Sequence, residues 1–153
     1  FSAPIRYRQL ADALGISVGE GAPLDAVRQT VLELRAAKGM LLDASDPDTV
    51  SAGSFFTNPI VPLERVPVGA PAWPVGEDSA KLSAAWLIEH AGFSKGHRYG
   101  GVGISGKHAL ALVNYGGTTK ELLSLARDIR DAVRATFGIT LEVEPVLVGA
   151  SLD

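Results

Sequence analysis

The sequence predicts an α+β fold: one domain in which an antiparallel or mixed sheet is covered by helices. Three observations carry this. Residues 119 to 137 place Leu122, Ala126, Ile129, Val133 and Phe137 on one stripe at helical spacing. Residues 101 to 104 and 108 to 114 are β-rich and are separated by Ser105-Gly106-Lys107, which has turn chemistry and predicts an antiparallel hairpin. Helical and β-rich segments are interspersed over a length of 153 residues, the size of one domain.

Taken in order, Tyr7 to Leu14 predicts a short helix stopped by Gly15. Residues 24 to 37 align Leu24, Val27, Val31 and Leu34, with Asp25 in the first turn and Lys38-Gly39 at the end. Ser54 to Val61 is expected to be a strand. Between Pro59 and Gly76 the five prolines Pro59, Pro62, Pro67, Pro71 and Pro74 predict an irregular loop acting as a flap over the sheet. Residues 80 to 91 put Leu82, Ala85 and Trp86 on one helical face, ending at Gly92. After the hairpin, Thr118 and Glu121 have capping-box spacing for the long helix, and Gly138 closes it. Ile139 to Val148 alternates as a last strand. No internal repeat is present.

Composition excludes several function classes. The chain is 46% hydrophobic, enough for a real core, and carries 14 basic against 17 acidic residues, a net charge of −3. With no Lys/Arg run and no interleaved aromatics it has no nucleic-acid footprint. No apolar stretch approaches the ~18 to 20 residues of a membrane helix, and a soluble protein is expected. The absence of cysteine excludes disulfides, thiolate catalysis and zinc-thiolate sites. The chain opens on Phe1-Ser2-Ala3-Pro4-Ile5, which reads as the inside of a longer sequence, with removal of a leader as the alternative.

Gly101-x-Gly103-x-x-Gly106 spells a dinucleotide-binding pattern, but that pattern needs a helix after it to receive the pyrophosphate, and here a strand is expected to follow. These are hairpin glycines. No phosphate-binding loop is present. His90, His97 and His108 have no i, i+4 partner, so no metal site is predicted; His90 suits a helix C-terminus and His108 opens a strand. Ser54 lies outside any Gly-x-Ser-x-Gly elbow.

The informative stretch is Ser51-Ala52-Gly53-Ser54-Phe55-Phe56-Thr57-Asn58-Pro59. Small residues, Gly53 among them, let a ligand approach the backbone, Phe55 and Phe56 can anchor the segment in a core, and Asn58-Pro59 constrains the exit. The residues alone allow two readings of Ser54, a hydroxyl presented on a rigid frame or a serine that opens a strand.

Ser51 to Pro59 resembles the serine motif of the UDP-N-acetylenolpyruvoylglucosamine reductase (MurB) family. Leu82 to Glu89 followed by Ala91-Gly92-Phe93, His97 to Gly101, Lys107 to Asn114, and Phe137 to Glu144 resemble that family's later segments in the same order. The resemblance covers roughly the last two-thirds of the chain. It implies a cytoplasmic flavoenzyme of peptidoglycan synthesis in which FAD, recharged by NADPH as co-substrate, delivers a hydride to the enolpyruvyl double bond while a serine protonates the neighbouring carbon. Ser54 matches that serine. A hydroxyl is a weak acid, but a carbanion or enolate is a strong enough base to take its proton.

The resemblance also matches Glu144 to an assisting glutamate. Glu142, two residues away, shares its strand face, and the family's proline between the two glutamates and following arginine are replaced by Val143 and Pro145-Val146. Asn58 matches an asparagine on the diphosphate side of the substrate. Lys38 and Arg98 are candidate anion partners by charge alone, with solvated surface charge as the other reading.

The family's FAD-binding region lies N-terminal to everything here, so no cofactor-binding residue is expected in this chain. The implied whole is a C-terminal substrate-binding domain spanning residues 1–153, inactive alone, whose tail from about 139 belongs with the absent FAD domain. The expected partners are the UDP-sugar substrate and that domain. The rival expectation is a non-catalytic sugar-nucleotide-binding or interaction module of the same fold.

Overall fold

The computed structural model describes residues 1–152. It is an α+β structure of four helices and two antiparallel sheets: α1 (Arg8–Leu14), α2 (Leu24–Ala37), β1 (Ser51–Ser54), β2 (Ile60–Pro62), β3 (Ala72–Val75), β4 (Ser79–Leu82), α3 (Ala84–His90), β5 (Arg98–Tyr99), β6 (Val102–Ile104), β7 (Ala111–Asn114) and α4 (Thr119–Phe137). Among the described residues no helix is long and apolar enough to cross a membrane.

The main sheet has the order β1-β7-β6-β5, and the smaller one β2-β4-β3. The expected hairpin is present, with Val102 opposite Asn114 and Ile104 opposite Leu112. α4 forms where its caps predict. Thr118 Oγ1 accepts from the Glu121 N–H, Glu121 returns a bond to the Thr118 N–H, and Gly138 ends the helix at φ 67°. Its Leu125, Ala126, Ile129 and Val133 are buried against Val102, Ile104, Leu87 and Ile88 in the main core. Burial of these side chains, worth ~1.5 to 3 kcal/mol each, holds the sheet to α3 and α4.

α2 spans its expected residues, yet none of it is buried and Leu24 is 62% exposed. It packs with α1 over a small separate cluster of Ile5, Ala11 and Ala22. Residues 1 to 41 are therefore a satellite on the main body rather than a cover for its sheet.

Four expectations are corrected. The strand over Ser54 to Val61 is broken, because Phe55 and Phe56 are both buried, with rings 5.1 Å apart, and consecutive inward residues end the alternation a strand requires. Ile60 to Pro62 joins the other sheet. The Pro59 to Gly76 segment is not wholly irregular: β2 and β3 flank β4, and Pro74 is tolerated in β3 because β3 is an edge strand. The helix expected from residue 80 starts at Ala84. Residues 79 to 82 alternate in burial as β4, and Ser83 then caps the helix through Oγ, which accepts from the Trp86 N–H. Ile139 to Val148 forms no strand. One bridge joins Val143 to Phe56, and Pro145, without an N–H, follows it.

The hairpin's geometry depends on two glycines in contact. The Tyr115 and Gly117 N–H groups both donate to the Gly101 carbonyl, at 2.9 and 3.0 Å. A Cβ on Gly101 would lie 2.4 Å from the Gly117 Cα. Gly101→Ala is expected to force these backbones apart and to lower stability by about 1 to 3 kcal/mol. Thermal denaturation of the variant checks this, and an unchanged midpoint would contradict the contact.

Candidate functional site

Ser54 ends β1, at the outer edge of the main sheet. Ser51 pairs with Val113 and Ser54 with Ala111, so β1 carries one more residue than β7 over this stretch. Such a bulge bends the strand and re-aims a side chain. Here it contains Gly53 at φ 81°, in the left-handed region that favours glycine. Without the bulge, Ser51 and Ser54, three apart, would face opposite sides of the sheet.

The bulge brings Ser54 to a histidine. Ser54 Oγ lies 3.5 Å from His108 Nε2, and His108 stands in the turn just before β7. Half-buried, this imidazole has a pKa lowered chiefly by desolvation and further by the charges of Lys38 and Lys95. The neutral ring is thus favoured at pH 7. A partly sheltered hydroxyl meets a neutral imidazole within the field of two cations, Lys38 and Lys95, from two other segments, an arrangement suited to holding an anionic ligand beside a group that transfers a proton.

Asp48 fixes this arrangement from behind. Its Oδ2 accepts from Gly106 N–H at 2.7 Å and from Ser105 Oγ at 3.0 Å, and its Oδ1 accepts from Tyr115 OH at 2.5 Å. Asp48 sits in a single helical turn, Pro47–Thr49, three residues before β1. The carboxylate thereby ties the approach to Ser54 to the turn leading to His108. Burial pushes the Asp48 carboxyl up, but the bonds from Tyr115, Gly106 and Ser105 and the charge of Arg98 together leave its pKa lowered. The Tyr115 hydroxyl is pushed up to about 12 by burial and by this bond.

The remaining expected site residues are dispersed. Lys38 follows α2 and donates to Gln9 Oε1 at 3.1 Å, while its charge reaches His108. Asn58 Oδ1 accepts from the Ala84 N–H at 2.9 Å at the start of α3, leaving its NH₂ toward a cleft of about 530 Å³. Thr57, Arg65, Thr140 and Glu142 also line that cleft. Arg98 lies on β5, at the opposite edge of the sheet from β1, with its guanidinium over the Tyr115 ring. Three strand spacings, roughly 14 Å, separate those edges. Glu142 and Glu144 are both exposed and flank the half-buried Val143. Thr57 N–H donates to the Glu142 carbonyl and Glu144 N–H to the Phe55 carbonyl, both at 2.9 Å, which draws the tail against the segment that follows Ser54.

Reading the sequence missed Asp48 and the pairing of His108 with Ser54. An acidic residue in a Pro-containing turn looks like a helix-start residue, and the two partners in the contact are 54 residues apart. The glycine run is placed as expected. A strand precedes Gly106 and another follows it, and a Cβ on Gly103 would lie 2.5 Å from the His97 carbonyl oxygen, so neither glycine faces open space for a phosphate.

Comparison with known proteins settles the relationship. The model of the UDP-N-acetylenolpyruvoylglucosamine reductase C-terminal domain matches residues 46–148. The chain belongs to this family. It is 53% identical to the UDP-N-acetylenolpyruvoylglucosamine reductase of Thermobifida fusca over 165 residues, covering 99% of this chain and 46% of that protein. To the enzymes so named in Mycolicibacterium gilvum and Streptomyces coelicolor it is 55% and 52% identical, again over 99% of this chain but 46% and 43% of theirs. The chain therefore spans less than half the length of the curated relatives it matches. The UDP-N-acetylenolpyruvoylglucosamine reductase family match begins at residue 46, after the satellite helices and just before Asp48.

Two tests follow from the geometry. Asp48→Ala leaves Ser105, Gly106 and Tyr115 without their acceptor and is expected to cost about 2 to 4 kcal/mol, read by denaturant unfolding. Asp48 is stabilising as the carboxylate, so its contribution is present above pH ~3.8 and fades as pH falls through the lowered native value. For His108 the sign is the same. The unfolded ring binds its proton more readily than the folded one, so stability is complete above pH ~6.5 and declines as pH drops below it. An NMR titration should place the His108 midpoint below 6.5, and His108→Gln should remove its share of the decline.

Proposed function

We propose that this chain is the substrate-binding part of a flavin- and NADPH-dependent reductase that forms UDP-N-acetylmuramate in the cytoplasm for peptidoglycan synthesis. The observation that carries the reading is the placement of Ser54 Oγ at 3.5 Å from a neutral His108, within reach of the Lys38 and Lys95 charges. The substrate is a UDP sugar bearing an enolpyruvyl carboxylate. Its diphosphate and carboxylate are anions, and cations beside the proton-bearing hydroxyl are what such a ligand requires.

The glycine pattern of this chain does not fit the pyrophosphate of a flavin dinucleotide. The run Gly101-x-Gly103-x-x-Gly106 is closed by Gly117 and the His97 carbonyl, and a strand rather than a helix follows it. FAD, on this reading, is held by the part of the reductase outside this chain and supplies the hydride. This chain binds and orients the substrate and holds the proton at Ser54 Oγ. The bulged strand fixes the hydroxyl, so its reach to the reacting carbon costs little reorganisation. Glu144 is the second group we assign to the reacting centre, because its backbone is paired with Phe55, the residue after Ser54. Asn58 offers its free NH₂ to the ligand, and Gly53 leaves the backbone open, with nothing within 4 Å of where its Cβ would be.

A second feature supports an incomplete assembly. Leu42, Val146 and Val148 are 88%, 89% and 90% exposed. Leu42 and Val146 belong to a groove of about 530 Å³, shared with Val50 and Phe55, that no charged residue lines. Leu147 and Val143 pack inward on the same segment, which is thus apolar on both sides. Apolar surface of this kind marks an interface, and we assign it to packing against the flavin-binding part.

In the reductase that carries this chain, Ser54→Ala is expected to leave flavin reduction by NADPH nearly intact while slowing enolpyruvyl reduction on the order of 10²- to 10⁴-fold. Stopped-flow measurement of the two half-reactions separates them. Normal turnover in the variant would sink the assignment and favour a binding module.

A further inference from the structure

We propose that His108 is the group that reloads Ser54 with a proton, its Nε2–H donating to Ser54 Oγ. This rests on the reading of Ser54 as the proton donor. A serine hydroxyl has one proton to give and two lone pairs that accept. If His108 Nε2 were the acceptor, the Ser54 proton would point at the ring and away from the ligand, and the pair would make a nucleophile. The strand that carries Ser54 shows no elbow, and proton donation needs the opposite polarity. An Nε2–H aimed at Oγ occupies a lone pair and leaves the hydroxyl proton free for the substrate carbon.

The step balances. A bound reduced flavin would supply a hydride to one carbon of the enolpyruvyl double bond, which would leave the adjacent carbon electron-rich. The Ser54 O–H bond breaks and a C–H bond forms there. The Nε2 proton passes to Oγ, and Nδ1 takes a proton from solvent, leaving the ring in its other neutral tautomer. The net change is one solvent proton delivered to carbon, with no charge left on Ser54 or His108. Burial of the imidazole disfavours its doubly protonated form, and the charges of Lys38 and Lys95 add to this, which keeps the ring in the neutral state that a tautomer relay needs. His108 is held for this by its place in the turn, where its carbonyl accepts from the Ala111 N–H at 3.1 Å, and Ala111 is the residue Ser54 pairs with. Donor and acceptor therefore sit on one rigid piece of sheet.

Two measurements test this. In the chain labelled with ¹⁵N-histidine, long-range ¹H–¹⁵N spectra at pH 7 should show His108 neutral and protonated at Nε2, with that resonance moved by Ser54→Ala. A ring protonated at Nδ1 alone overturns the proposal. In the reductase carrying this chain, His108→Gln keeps a donor toward Oγ but has no second nitrogen to complete the relay. It should slow enolpyruvyl reduction on the order of 10²-fold, leave flavin reduction by NADPH unchanged, and cause no further loss when combined with Ser54→Ala. If Ser54→Ala collapses the step while His108→Gln runs at the parent rate, the relay is wrong and the donor role of Ser54 stands. If Ser54→Ala itself turns over normally, the reading beneath both fails.

Discussion

A carboxylate that accepts three hydrogen bonds at once does more to shape this molecule than its size suggests. Asp48 holds Ser105, Gly106 and Tyr115, which belong to the β6–β7 turn and to the segment after β7. Its own turn leads straight into β1. The sheet edge that carries Ser54 is short, with only two register pairs to β7, and a ladder of that length cannot by itself define its approach. The clamp supplies the missing constraint. Lys107 adds an ion pair with Asp46 on the same turn, but that pair is exposed and contributes little in water. Asp48 is better sheltered, and its partners include the fully buried Ser105 hydroxyl. Removing it would strand polar groups rather than merely lose an attraction.

The fold was legible wherever a segment's structure depends on its own residues. α4 carries a capping box, an apolar stripe and a terminal glycine, and every one of those signals acts within a few residues of the chain. The hairpin likewise announced itself through Ser105-Gly106-Lys107. Legibility failed where distant partners decide. Residues 79 to 82 have helix-compatible composition, but β2 and β3 lie on either side and convert them to a central strand. The tail from Ile139 has strand composition, yet its one β-bridge is to Phe56, and Pro145 cannot extend the pairing. Its inward Leu141 and outward Val146 and Val148 explain why the pattern looked strand-like: apolar residues on both faces suit a segment covered on both sides.

The site divides in the same way. Ser54 stood out because Gly53, the paired phenylalanines and Asn58-Pro59 surround it, and the bulge with Gly53 at positive φ is the physical content of that motif. Asn58 is the acceptor at the start of α3, a role that was not legible because Ala84 is 26 residues on. Arg98 and Lys38 shared one argument, charge, and the fold separates them: Lys38 acts on His108, while Arg98, carried on the far edge strand, covers the ring of Tyr115 and acts on Asp48. His108 was set aside as a strand-opening residue. Nothing in its neighbours along the chain reveals that β1 returns beside it.

That return also determines which chemistry a serine and a histidine can perform together. A hydrolytic pair needs the imidazole as base, a third group to orient it, and donors arranged around an oxyanion. Here burial of the ring, with the charges of Lys38 and Lys95 added to it, favours loss of its extra proton and opposes its acting as a strong base. A field that penalises imidazolium drives protons outward, from ring to hydroxyl to ligand. On the proposed reading, burial and these charges favour a ring that donates over one that accepts, and a reduction in which the substrate becomes the base is the chemistry that such a field would suit.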